Sequence, residues 1–174
     1  MNNPLAIAIL SLAALSLRLH AQDSMQMPAH KDAPDTHAAG VDARGDHAMG
    51  FSHETTKHHF EPLKDGGIIE VEANDAADTA TRDQIRMHLT HIAAMFSANN
   101  FDVPMFIHDR VPPGVPVMKQ KHYAITYTFQ PTERGGLVRI TTNDPDALAA
   151  IHEFLAFQIV DHRTSDNSSI KPSS

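Results

Sequence analysis

The feature that most constrains this chain is an internal repeat. Phe60-Glu61-Pro62-Leu63-Lys64-Asp65-Gly66-Gly67-Ile68-Ile69-Glu70-Val71-Glu72-Ala73-Asn74-Asp75 aligns with Phe129-Gln130-Pro131-Thr132-Glu133-Arg134-Gly135-Gly136-Leu137-Val138-Arg139-Ile140-Thr141-Thr142-Asn143-Asp144 at a constant offset of 69 residues. Phe, Pro, Gly-Gly and Asn-Asp coincide, and the apolar positions keep step. Each copy reads as strand, Gly-Gly turn, strand. A helical period follows each one. Ile85, Leu89, Ile92 and Phe96 form the first apolar stripe, and Leu148, Ile151, Leu155 and Ile159 the second. Thr81-x-x-Gln84 predicts a capping box for the first helix. Asp144 with Pro145 predicts the N-cap and N1 of the second. The expectation is an α+β fold, a duplicated ββα–ββα with a four-stranded antiparallel sheet and two helices on one face. His59, Glu61, Glu70, Glu72, Thr126, Thr128 and Arg139 make the other face polar.

The rest of the chain divides around this unit. Pro4 to Leu17 is an apolar run of signal-peptide length, too short for a comfortable membrane span, so residues 1–21 read as a cleaved signal. Residues 22–50 are rich in Ala, Asp, His, Gly and Met without helical or strand period, and read as a disordered leader. Residues 51–163 are the folded domain and 164–174 a disordered tail. The long Pro-rich connection from Asn99 to Pro116 is of a kind that is either functional or well packed. The implied location is periplasmic or secreted, with no membrane contact once the signal is removed.

Composition then narrows the chemistry. The 174 residues include 13 His and 8 Met but no Cys, which removes disulfides, zinc ribbons, iron–sulfur clusters and cysteine nucleophiles. A formal net charge of −7 leaves little phosphate-neutralising charge, so nucleic acid is not an expected partner. No GxSxG, P-loop, GxGxxG or HExxH motif is present. A hydrolytic metal site with Asp83 or Asp109 as base is a minor alternative.

Histidine and methionine are what remain. Imidazole and thioether suit copper, thioether selecting Cu(I). The leader contributes Met25, Met27, His30, His37, His47 and Met49, with His47 and Met49 two residues apart. Alternation along His53 to Phe60 puts His58 on the face of Phe60, and His53, Thr55 and His59 on the other. The repeat places Tyr127 at the position equivalent to His58. At about 100° per residue, Met87, His88, His91 and Met95 fall within an arc of about 100° beside the first stripe, too spread for all four to bind one ion. Met105 and His108 lie in the long connection, His152 and His162 near the second stripe, and His122 on the outer phase of a strand. The candidate metal ligands are His58, His88, His91, Met95, Met87, His108, His47 and Met49.

Several of these runs occur together in Thr55-Thr56-Lys57-His58-His59-Phe60, Arg82-Asp83-Gln84-Ile85-Arg86-Met87-His88-Leu89-Thr90-His91-Ile92, Pro104-Met105-Phe106-Ile107-His108-Asp109, Pro112-Pro113-Gly114-Val115-Pro116 and Ile151-His152-Glu153-Phe154-Leu155. Across about Met49 to Asp166 the chain resembles a family of small exported bacterial proteins. Some look-alikes carry the name aspartate carbamoyltransferase. This chain is about half the length that activity needs and lacks a Ser-Thr-Arg-Thr type phosphate loop, so the resemblance implies a domain boundary and export, and no reaction.

The resulting expectation is an exported transition-metal protein, with copper as the ion, acting in metal buffering or delivery. Zinc or haem are the alternative cofactors. The rival classes are a metal- or haem-dependent enzyme using His58, His88 and His91, and a non-catalytic interaction module, including a homodimer.

Overall fold

The pairing of strands follows from the repeat. The computed structural model describes residues 35–173. Strands β1 (Thr56–Leu63), β2 (Gly66–Ala73), β3 (Ile125–Pro131) and β4 (Gly135–Thr142) form one antiparallel sheet in the order β1-β2-β4-β3. Phe60 pairs with Ile69, and its equivalent Phe129 with Val138. Pro62 with Gly67 likewise matches Pro131 with Gly136. At the centre Ile69 pairs with Val138, its own equivalent. Gly67 with Ile140 and Val71 with Gly136 flank it symmetrically. A pseudo-two-fold axis therefore passes between β2 and β4.

The glycine pairs open β2 and β4, and the turns themselves are Lys64-Asp65 and Thr132-Glu133-Arg134. The Gly-Gly segments are thus strand starts, where backbones crowd too closely for a side chain. A Cβ on Gly66 would lie 2.0 Å from the Ile140 carbonyl oxygen, and one on Gly135 would lie 2.1 Å from that of Val71, its symmetry equivalent. Gly66 also has φ +148, a conformation disfavoured for L side chains.

Helices α2 (Thr79–Ser97) and α5 (Pro145–Asp161) cover one sheet face. Each packs mainly over the hairpin of the other copy, α2 on β3 and β4, and α5 on β1 and β2. Arg86 locks this exchange by donating to the Gly135 and Thr132 carbonyls. The predicted stripe Ile85, Leu89, Ile92 and Phe96 is buried, as are Ile151, Leu155 and Ile159, while Leu148 is only partly covered. Phe60, Ile69, Val71, Tyr127, Val138 and Ile140 face the helices. Asp144 caps α5 as predicted, accepting from the amides of Asp146 and Ala147. The cap of α2 is Asp78, which accepts from Thr81 N–H, so the helix begins two residues before the predicted capping box.

The connection from Asn99 to Pro116 is well packed. It carries α3 (Asp102–His108) and leads into α4 (Val115–Gln120). Phe101, Ile107, His108, Val115 and Met118 are all buried.

Three expectations need correction. The part of the leader within the described residues is helix α1 (Thr36–Met49), capped by Asp35 and stopped by Gly50 in the left-handed conformation. Its buried stripe, Ala38, Val41, Gly45 and Met49, is one residue wide and partly of small residues, which hides the period. Polar ties hold it: Asp42 to Arg163, His37 to Asp161, Asp46 to His53, and Arg44 to the Ile107 carbonyl. Second, the tail is ordered along the edge of β1. Lys64 N–H donates to the Lys171 carbonyl and Lys171 N–H to that of Pro62. Asp166 accepts from Phe60 N–H and pairs with His59 Nδ1 at 2.9 Å. An open strand edge is thereby covered. Third, His53 belongs to a 3-10 turn, His53–Thr55, and His122 to another, His122–Ala124, so neither lies on a strand. The signal segment and residues 22–34, with Met25, Met27 and His30, lie outside the described residues. Among the described residues no helix is long and apolar enough to cross a membrane.

Candidate functional site

The exchanged helices bring the end of α5 over β1, and the end of α1 and one side of α3 lie beside the same spot. They border a pocket of about 60 Å3. Its walls are mostly core residues such as Phe60, Val71, Leu89, Phe96 and Phe154, into which Met49, His58, His88, His108, Gln158 and His162 project. Four histidines from four separate elements of the chain therefore line one pocket.

His58 points inward, as strand alternation requires of a neighbour of Phe60. Its Nε2 lies 3.2 Å from the Met49 sulfur. Its ring stacks on that of His162, 5.5 Å between centroids and 5° from parallel. His162 caps α5 and meets His108 edge-on at 5.0 Å. His88, from α2, packs its ring edge-on against Phe51. His108 is 1% exposed and fixed at both nitrogens, Nδ1 at 2.5 Å from Asp161 Oδ2 and Nε2 at 2.9 Å from Gln158 Oε1. The Gln158 amide nitrogen is buried without a partner among the described residues.

Burial governs the charge states here. It pushes His58 down to about 4, helped by the neighbouring His88, His59 and His53 and opposed by Asp46. It pushes His88 down to about 4, with His91 adding to it. It pushes His162 down to about 3, with His58 and His108 next in weight. These three rings are neutral at pH 7. Asp161 goes the opposite way from what burial alone would do: burial raises it, but hydrogen bonds from His37 and His108 outweigh that and hold it below the usual carboxylate range.

The predicted ligands separate into two sets. Met49, His58, His88 and His108 line the cavity. Met87 is 70% exposed, and His91 also faces solvent. Met95 is partly covered outside the cavity lining, and His47 is exposed beside Phe106. The α2 cluster therefore does not converge. Its 100° arc straddles the boundary of the core, so only His88 turns inward. His152 is structural, donating from Nε2 to the Leu63 carbonyl at 2.8 Å. Among the described residues no three His, Asp or Glu side chains surround one point as metal ligands.

His162, Gln158 and Asp161 complete the site and were not among the predicted ligands. Gln158 had a signal: it lies three residues after Leu155 and seven after Ile151, a polar residue at an inward helical position. His162 follows Gln158 by one helical turn. Comparison of the chain with protein-family models, with curated protein sequences and with solved structures finds no match, and the pocket's own side chains carry the chemistry.

Proposed function

We propose that the protein binds Cu(I) between Met49 and His58 and acts as an exported copper-buffering or copper-delivery protein. One observation carries this reading: a thioether sulfur stands 3.2 Å from an imidazole nitrogen at the wall of a cavity shared by three more imidazoles. Thioether selects Cu(I) over harder ions. Neutral ligands suit a single charge, whose sheltering costs less than that of a divalent ion. Zinc asks for four nitrogen, sulfur or oxygen ligands in a tetrahedron, and the described residues offer no such group. A cavity of about 60 Å3 falls well short of the roughly 300–1,000 Å3 of pockets for organic ligands, which favours an ion over haem.

The neutral rings also set the pH range. An unperturbed imidazole would lose metal to protons below about 6.5. Burial moves that competition for His58 toward 4. Competition titration against a chromophoric Cu(I) chelator tests the reading. The expected result is one tightly held ion per chain. Replacing Met49 by Leu, or His58 by Ala, weakens it roughly tenfold or more, while His91→Ala and Met87→Leu leave it unchanged. Absence of stoichiometric binding, or indifference to Met49→Leu, overturns the proposal.

A further inference from the structure

The two outer strands are equivalent in the repeat, and their free edges differ. On β1 the outward backbone groups are spent. Phe60 N–H donates to the Asp166 carboxylate, the Pro62 carbonyl accepts from Lys171 N–H, and Lys64 N–H donates to the Lys171 carbonyl. The offset of 69 residues maps these positions onto Phe129, Pro131 and Glu133 at the other edge. There Thr132 N–H donates inward to the Gly135 carbonyl. Alternation then turns the backbone groups of Thr126, Thr128 and Gln130 toward β4, and those of Tyr127 and Phe129 away from the sheet. Among the described residues no strand or segment pairs with that edge.

We propose that β3 pairs antiparallel with β3 of a second copy, joining two four-stranded sheets into one. The side chains favour this partner over a second tail. The tail holds β1 by polar anchors, Asp166 on His59 and Lys171 on Glu61. The equivalents of His59 and Glu61 on β3 are Thr128 and Gln130, and Thr126 stands for Lys57. A second tail therefore finds neither anchor there. A copy of β3 meets no repulsion, because Ile125 to Pro131 contains no Lys, Arg, Asp or Glu, the charges that commonly guard an edge strand.

The surroundings fit a two-fold axis normal to the sheet, the commonest symmetry of homo-oligomers. Such an axis keeps Ile125, Tyr127 and Phe129 of both copies on the helix side, and Thr126, Thr128 and Gln130 on the polar side. Neutral Thr and Gln then lie across from one another, and Thr pairs well across strands. Helix α2 packs over β3 and β4. At a strand spacing of about 4.8 Å, the joined sheet sets the two α2 helices roughly 10 Å apart, an ordinary packing distance. Tyr123, two residues before β3, is 94% exposed and leaves an aromatic ring in solvent at the end of this edge.

Sedimentation equilibrium of the full chain from about 1 µM to roughly 0.5 mM tests the proposal. A reversible dimer is expected. The double variant Thr126→Lys, Thr128→Lys gathers four like charges around the axis and raises the dissociation constant about tenfold or more. Both side chains are exposed, so its melting curve in dilute solution matches the wild type. Amide exchange locates the interface: at high concentration Tyr127 and Phe129 slow several-fold, whereas Thr128, already bonded to β4, does not change. A monomer throughout the range overturns the proposal. So does a dimer with unchanged exchange at Tyr127 and Phe129, which joins elsewhere. A dimer that ignores the double substitution but dissociates in Asp166→Asn is an exchange of tails, and overturns it as well.

Discussion

His58 and Tyr127 occupy the same place in the two copies, on outer strands facing the helices, and their surroundings differ completely. Tyr127 packs edge-on against Phe96, and its hydroxyl is buried without a partner among the described residues. Burial raises its ionisation above the usual phenol range. Around His58 the space is instead bordered by α1, α3 and the end of α5, leaving a pocket lined by imidazoles and a thioether. One copy fills the position with a ring that only packs. The other uses a ring with nitrogens and recruits extra elements to shelter it. The two copies thus offer equivalent positions with different fillings.

The comparison breaks most visibly with acid. His58, His88 and His162 have folded-state values depressed below the unfolded 6.5, so the stability they confer is present above that pH and is lost as pH falls toward 4. Each shifted group is worth about 1.4 kcal/mol per pH unit in that window, against about 5–15 kcal/mol for a whole domain. Melting curves from pH 7 to 4.5 are expected to show a fall of several kcal/mol. At the other end, Tyr127 has a raised value, so its contribution is intact below about pH 10 and declines above it. Acid failure thus belongs to the pocket around His58 and alkaline failure to the surroundings of Tyr127.

Replacing His58 by Tyr makes the copies alike. The larger ring enters the cavity, at an overpacking cost of about 1–3 kcal/mol at pH 7. It removes one titrating group, so the acid loss becomes shallower. A melting series over the same pH range checks this, and an unchanged slope would show that His58 is not among the groups responsible.

Tyr127→Phe removes a buried hydroxyl that has no partner among the described residues. The expected change is a gain of about 1 kcal/mol, with the alkaline decline reduced, read from chemical denaturation. A loss of stability would mean that the hydroxyl is hydrogen-bonded in solution.

The smallest effect concerns the lid over the His58 socket. Asp42→Asn weakens the tie between α1 and Arg163, an exposed pair worth about 0–1 kcal/mol. Hydrogen exchange of α1 amides is expected to speed up a few-fold, with sheet amides such as Val138 unaffected. Equal acceleration in the sheet would show that α1 opens only with global unfolding.

The repeat made much of the fold legible before any coordinates. A constant offset fixes equivalent registers, because β alternation ties each side chain to a face. The two stripes then place the helices, and the composition singles out histidine and methionine as the chemistry. The α1 helix was hidden because a stripe of Ala38, Val41, Gly45 and Met49 resembles linker composition, although Asp35 and Gly50 cap both its ends. The convergence of the site was hidden for a different reason. Helical spacing confines Met87, His88, His91 and Met95 to an arc, but only packing against β3 and β4 decides which of them turns inward. His58, His88, His108 and His162 come from four elements separated by tens of residues, and the crossing of α5 onto β1 is what carries His162 to His58. Local sequence determines periodicity and caps through short-range sterics and hydrogen bonds. The distance between remote side chains depends on how whole faces pack, and only the tertiary structure decided it.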